Sequence, residues 1–106
     1  MNDDLGLILI GQVEDIELEC AEHFEYEGLD YSIFHLNSGF YATQAYCTCN
    51  QNGLLSEGNI SNDEITCPIC SESFSIVSGD PVGESDLTSI KTFEITVENN
   101  NLYLNI

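Results

Sequence analysis

At 106 residues the chain has room for one hydrophobic core, so a single domain is expected over residues 1–106. Nineteen acidic residues against one basic residue, Lys91, give a formal charge of −18. That balance excludes nucleic acid and anionic membrane surfaces as partners, because both are gripped by Lys and Arg.

The elements read as short β-type runs punctuated by turn residues. Leu5–Ile10 is a first strand, strand-sized and far short of the ~20 apolar residues a membrane span needs. Ahead of it, Met1-Asn2-Asp3-Asp4 is acidic where a signal peptide is basic, so a cytoplasmic protein is expected. Phe24 and Tyr26 alternate with acidic residues, and Tyr31–Leu36 follows after Glu27-Gly28. Asn37-Ser38-Gly39 turns the chain into Phe40–Thr43. Asn59-Ile60 and Glu64–Thr66 flank a turn at Ser61-Asn62-Asp63, and Phe74–Val77 runs into Ser78-Gly79-Asp80-Pro81. Residues 82–90 are polar and irregular, with at most one helical turn. Phe93, Ile95 and Val97 then alternate with polar residues, Asn99-Asn100 turns, and Leu102, Leu104 and Ile106 alternate on the return. About nine short strands at this spacing predict an all-β sandwich or small barrel.

Four of the five cysteines form two tight pairs, Cys47-Thr48-Cys49 and Cys67-Pro68-Ile69-Cys70, separated by seventeen residues. Each pair falls on a turn-rich loop after a strand, where close side chains can converge on one centre. Four thiolates suit a tetrahedral zinc site or an iron–sulfur cluster, and spacing alone does not choose between them. Cys20 stands apart as a structural thiol. His23 and His35 lie on predicted strands outside both loops and are expected at the surface or half buried. Tyr41 and Tyr46 flank the first loop as packing residues. Neither pair has a neighbouring histidine to act as base, and no phosphate-binding glycine loop is present, so the chain is not expected to be an enzyme.

The two loops, with the stretches around them, resemble the Rieske-type ferredoxins, electron carriers of bacterial aromatic-ring dioxygenase systems. The likeness is carried by Gly39-Phe40-Tyr41-Ala42-Thr43-Gln44, Cys47-Thr48, Leu55-Ser56-Glu57-Gly58 and Cys67-Pro68. It continues through Phe74, Ser78-Gly79-Asp80-Pro81 and Ile90-Lys91-Thr92-Phe93. The resemblance implies a Rieske-like antiparallel sandwich or barrel with cluster-binding loops at about 44–58 and 66–74. The family binds a 2Fe-2S cluster through Cys-x-His and Cys-x-x-His. Here cysteine stands at both histidine positions, Cys49 and Cys70, and Ser71 replaces a usual glycine.

By resemblance, Cys47 and Cys67 would hold the inner iron and Cys49 and Cys70 the outer one. Pro81 would cover the cluster. The implied function is a monomeric electron carrier between a ferredoxin reductase and a terminal oxygenase. Two thiolates in place of two neutral imidazoles make the site more negative and predict a lower potential. Histidine-ligated clusters span roughly −150 to +300 mV and plant-type all-cysteine clusters lie near about −400 mV. The acidic surface would steer the carrier toward basic partners. The competing expectation is a structural or regulatory zinc module on the same fold, with thiol redox sensing a weaker third.

Overall fold

The computed structural model describes residues 7–49, 53–83 and 87–105. Nine strands carry the chain: β1 Leu7–Gln12, β2 Cys20–Tyr26, β3 Leu29–Leu36, β4 Gly39–Gln44, β5 Asn59–Ser61, β6 Glu64–Thr66, β7 Ser73–Ser75, β8 Thr92–Glu98 and β9 Asn101–Asn105. A six-stranded sheet runs β1-β9-β8-β4-β3-β2, and a separate three-stranded sheet runs β5-β6-β7. Each pairing between neighbouring strands is antiparallel. The expected all-β, antiparallel architecture is therefore what the chain adopts.

Three of the hairpins use the same local device. Glu27-Gly28, Asn62-Asp63 and Asn99-Asn100 each form a two-residue turn with both φ angles positive. That conformation matches the right-handed twist of the flanking strands, and Asn, Asp and Gly reach it at least cost. The large sheet is seamed rather than continuous. β4 meets β8 only through Ala42↔Phe93 and Thr43↔Thr92, so two three-stranded halves diverge from that seam.

β3 serves both cores through its period-two alternation. Tyr31 and Ile33 pack with Ile16, Ala42, Leu102 and Leu104 on one side. Phe34 and Leu36 pack on the other with Leu55, Ile65, Phe74, Ile76 and Ile90. The second of these cores includes Cys47 and Cys67, so the small sheet and its loops are fastened to the large sheet by apolar contact.

The differences from the sequence reading are local. β1 reaches Gln12 with an irregular register between Leu9 and Gly11, while Leu5 and Gly6 of the expected strand lie outside the described residues. The expected strand Phe74–Val77 stops at Ser75. There the Ser75 hydroxyl accepts the Ser78 N–H at 3.2 Å and the Ser75 carbonyl accepts the Gly79 N–H at 2.8 Å, closing a turn. Ile76 stays buried but Val77 is exposed. Two short 3-10 turns, Val13–Asp15 and Leu55–Glu57, were not expected. The possible helical turn in 82–90 does not form at the residues described there, and Ile106 of the last alternation lies outside them. Among the described residues no helix is long and apolar enough to cross a membrane.

Candidate metal centre

The first loop grows from the end of β4. The Ala45 carbonyl accepts the Leu55 N–H and the Gly53 carbonyl accepts the Cys47 N–H, each at 2.8 Å, so the loop closes on itself as a hairpin. The Gln44 amide braces its base: Nε2 donates to the Tyr46 carbonyl at 2.6 Å, and Oε1 accepts the Lys91 N–H at 2.8 Å. Thr48 Oγ1 donates to the Thr88 carbonyl at 2.6 Å, tying the loop to the approach to β8.

The second loop bridges β6 and β7. Its neck is held by the Thr66 and Ser73 hydroxyls at 2.7 Å and by the Cys67 N–H on the Glu72 carbonyl at 2.8 Å. The Ser71 N–H returns to the Cys67 carbonyl at 3.1 Å, and Ser71 itself sits in the left-handed region at φ 66°. In both loops one cysteine sits at the neck and one further out. Cys47 and Cys67 are buried, and Cys49 and Cys70 are half buried.

The four Sγ atoms lie within 4.8 Å of one another. Cys47 Sγ and Cys70 Sγ are 3.7 Å apart, well beyond a disulfide bond. Each inner sulfur accepts an N–H from two residues ahead: Cys49 N–H to Cys47 Sγ at 3.3 Å, and Ile69 N–H to Cys67 Sγ at 3.4 Å. Burial pushes the Cys47 thiol well above its ordinary range, opposed only in part by the Cys49 N–H. Burial also raises Cys70, against the N–H of Glu72. Burial thus favours the protonated thiols, so a metal entering this site competes with their protons.

Gly53 faces the quartet from behind. A Cβ built there would collide with Cys67 Sγ and press on Ile69 at 3.0 Å. The site thus has a wall that only glycine can form, a role set by tertiary approach and invisible in the loop's own sequence. The bracing by Gln44 and Thr48 was likewise not foreseen.

The other candidates lie elsewhere. Cys20 is exposed on β2. His23 pairs with Asp30 at 2.8 Å, and His35 stacks on Phe40 while its Nδ1 meets the Ile16 carbonyl at 2.8 Å. Tyr41 packs against the core that holds Cys47 and Cys67, while Tyr46 is partly exposed and bridges to Leu54. Pro81 bridges to Phe74.

As a donor set the quartet fits an iron–sulfur centre. It offers four soft sulfurs, two of them buried and hydrogen-bonded and two turned toward the surface, in a cradle that a single added methyl would fill. Residues 8–105 match the sequence profile of the Rieske-like 2Fe-2S domain. The chain belongs to that family. Among similar proteins, a 3-phenylpropionate/cinnamic acid dioxygenase ferredoxin subunit from Photorhabdus laumondii is 26% identical over 103 residues, covering 96% of each chain. A chain of a solved complex of reduced oxygenase and oxidized ferredoxin in carbazole 1,9a-dioxygenase superposes with a TM-score of 0.86 at 23% identity, over 94% of this chain and 93% of that one. A chain described as the small subunit of an NADPH nitrite reductase superposes with a TM-score of 0.84 at 22% identity, over 94% and 98%. At such identities these superpositions speak for the Rieske-like fold alone. The function has to be argued from the residues at the tip.

Proposed function

We propose that this Rieske-like domain carries single electrons on a 2Fe-2S cluster held by Cys47, Cys49, Cys67 and Cys70, taking them from a ferredoxin reductase and passing them to a terminal oxygenase. The observation that carries the reading is the convergence of four sulfurs, from two braced loops, in a member of a 2Fe-2S family. The relatives named as ferredoxin components of dioxygenase systems support the carrier role, and the oxygenase–ferredoxin complex supports the oxygenase as partner. The cluster, when bound, supplies a one-electron couple, so the chain itself needs no catalytic group.

The protein's residues do the rest. Cys47 and Cys67 anchor the centre inside the core, out of contact with water. Cys49 and Cys70 form the outward side through which an electron has the shorter path to a partner. Ile69, 53% exposed between Cys67 and Cys70, gives that end an apolar contact point. The N–H groups of Cys49 and Ile69 hold the inner sulfurs in place and disperse their charge. All four ligands come from one chain, so no second subunit is needed to complete the site.

The test is anaerobic purification followed by iron and acid-labile sulfide analysis and a visible spectrum. Two irons and two sulfides per chain, a spectrum of all-cysteine type, and electron flow from a reductase to an oxygenase are expected. A colourless protein without sulfide would remove the carrier reading.

A further inference from the structure

The sulfurs stand closer together than two irons require. In a two-iron centre each iron takes two of the four thiolates, and bridging sulfides hold the irons apart, so the two pairs are separated by more than one coordination sphere. A single zinc ion instead holds four thiolates at about 2.3 Å, in a tetrahedron whose edge is then about 3.8 Å. Here all four sulfurs lie within 4.8 Å of one another. The 3.7 Å contact joins Cys47 to Cys70, the inner cysteine of one loop to the outer cysteine of the other. Those are residues that a Rieske arrangement assigns to different irons, and their separation is one tetrahedral edge.

Each loop is closed by its own bond, Cys47 N–H to the Gly53 carbonyl and Cys67 N–H to the Glu72 carbonyl, and the two loops meet where Gly53 of the first packs on Cys67 and Ile69 of the second. We propose that the closed arrangement of these loops is a complete site for one thiophilic divalent cation of the zinc class, bound by Cys47, Cys49, Cys67 and Cys70. The inference rests on the four-cysteine ligand set of the preceding reading and not on electron transfer. Four thiolates on a divalent ion leave surplus negative charge, which the N–H groups of Cys49 and Ile69 offset at the two inner sulfurs. Zinc has no redox couple, so the chain in this form staples its loops without carrying electrons.

The experiment titrates the metal-free full chain, reduced and without oxygen, with Co(II) as a coloured probe and then with Zn(II) in competition. Saturation at one cobalt per chain, an intense tetrahedral tetrathiolate spectrum and displacement by one equivalent of zinc are expected. Cys70→Ser is expected to weaken binding by at least about tenfold, the lower end of what losing even an outer-shell partner costs. Cys20→Ser is expected to leave binding unchanged. Saturation at two or more ions, a weak octahedral spectrum, or wild-type binding by Cys70→Ser overturns the proposal. Iron and sulfide analysis of the protein as purified separates the two readings. Two irons and two sulfides with no single-cobalt binding would keep the carrier and remove this site. One cobalt bound, with no cluster forming from added iron and sulfide, would keep this site and remove the carrier.

Discussion

Two residues of the loops carry conformational demands that decide whether the cysteines meet. Gly53 is required by space: any Cβ there runs into Cys67 Sγ. Gly53→Ala is expected to cost about 1–3 kcal/mol, as overpacking does, and to lower metal content per chain while the far-ultraviolet circular dichroism stays that of the wild type. A metal content equal to wild type would mean that the second loop yields freely. Ser71 is the opposite case, a residue in a conformation glycine would hold better. Its φ of 66° costs a non-glycine residue about 1–2 kcal/mol, against about 0.4–1 kcal/mol for the extra freedom glycine brings to the unfolded chain. Ser71→Gly is therefore expected to stabilise by roughly 0.5–1 kcal/mol, a rise of a few degrees in the melting temperature. Thermal melts of the two metal-loaded proteins measure it. The resemblance had marked Ser71 as a departure from a usual glycine, and the left-handed backbone supplies the reason.

At the scale of elements, the strands were readable wherever alternation met a turn signal. β3 and β9 follow their period-two pattern, β8 follows it only as far as Ile95, with Val97 exposed at its end, and the Asn99-Asn100 and Asn62-Asp63 turns were visible because those residues tolerate positive φ. Ile76-Val77 misled because an apolar pair prolonged a strand pattern that the Ser75 hydroxyl ends. The four cysteines were legible because a metal site needs specific atoms at specific spacing. Gly53, Gln44 and Thr48 were not, because their roles come from contacts with residues far along the chain, at Cys67, Lys91 and Thr88. Gln44 tests the distinction. Its side chain links the first loop to the start of β8 by two bonds of 2.6 and 2.8 Å, each worth about 0.5–1.5 kcal/mol net. Gln44→Ala is expected to destabilise by about 1–3 kcal/mol in denaturant unfolding, with the spectrum of the loaded site retained. A change in spectrum without a change in stability would assign Gln44 to the metal centre instead of to the seam.

For the molecule as a whole, charge and ligand chemistry act on the same quantity. A formal charge of −18 with one Lys and, in the proposed cluster, four thiolates in place of two thiolates and two imidazoles would both oppose the arrival of another electron. Ligand charge is the larger influence, because it acts at bonding distance while surface charges are screened over about 8–10 Å in ordinary salt. The N–H bonds to the two inner sulfurs work in the other direction and keep the centre from the lowest end of the range. The expected potential therefore lies toward about −400 mV, and below the roughly −150 to +300 mV of histidine-ligated centres. Both histidines of the chain are engaged elsewhere, His23 with Asp30 and His35 with Phe40 and Ile16, so no imidazole on a metal is available to titrate. A spectroelectrochemical titration of the loaded protein across neutral and mildly alkaline pH is expected to give one potential, level with pH. A positive potential that falls by about 59 mV per pH unit, the slope of a one-electron couple tied to one proton, would place a histidine on the metal. The four-cysteine ligand set would then be wrong, whatever the fold.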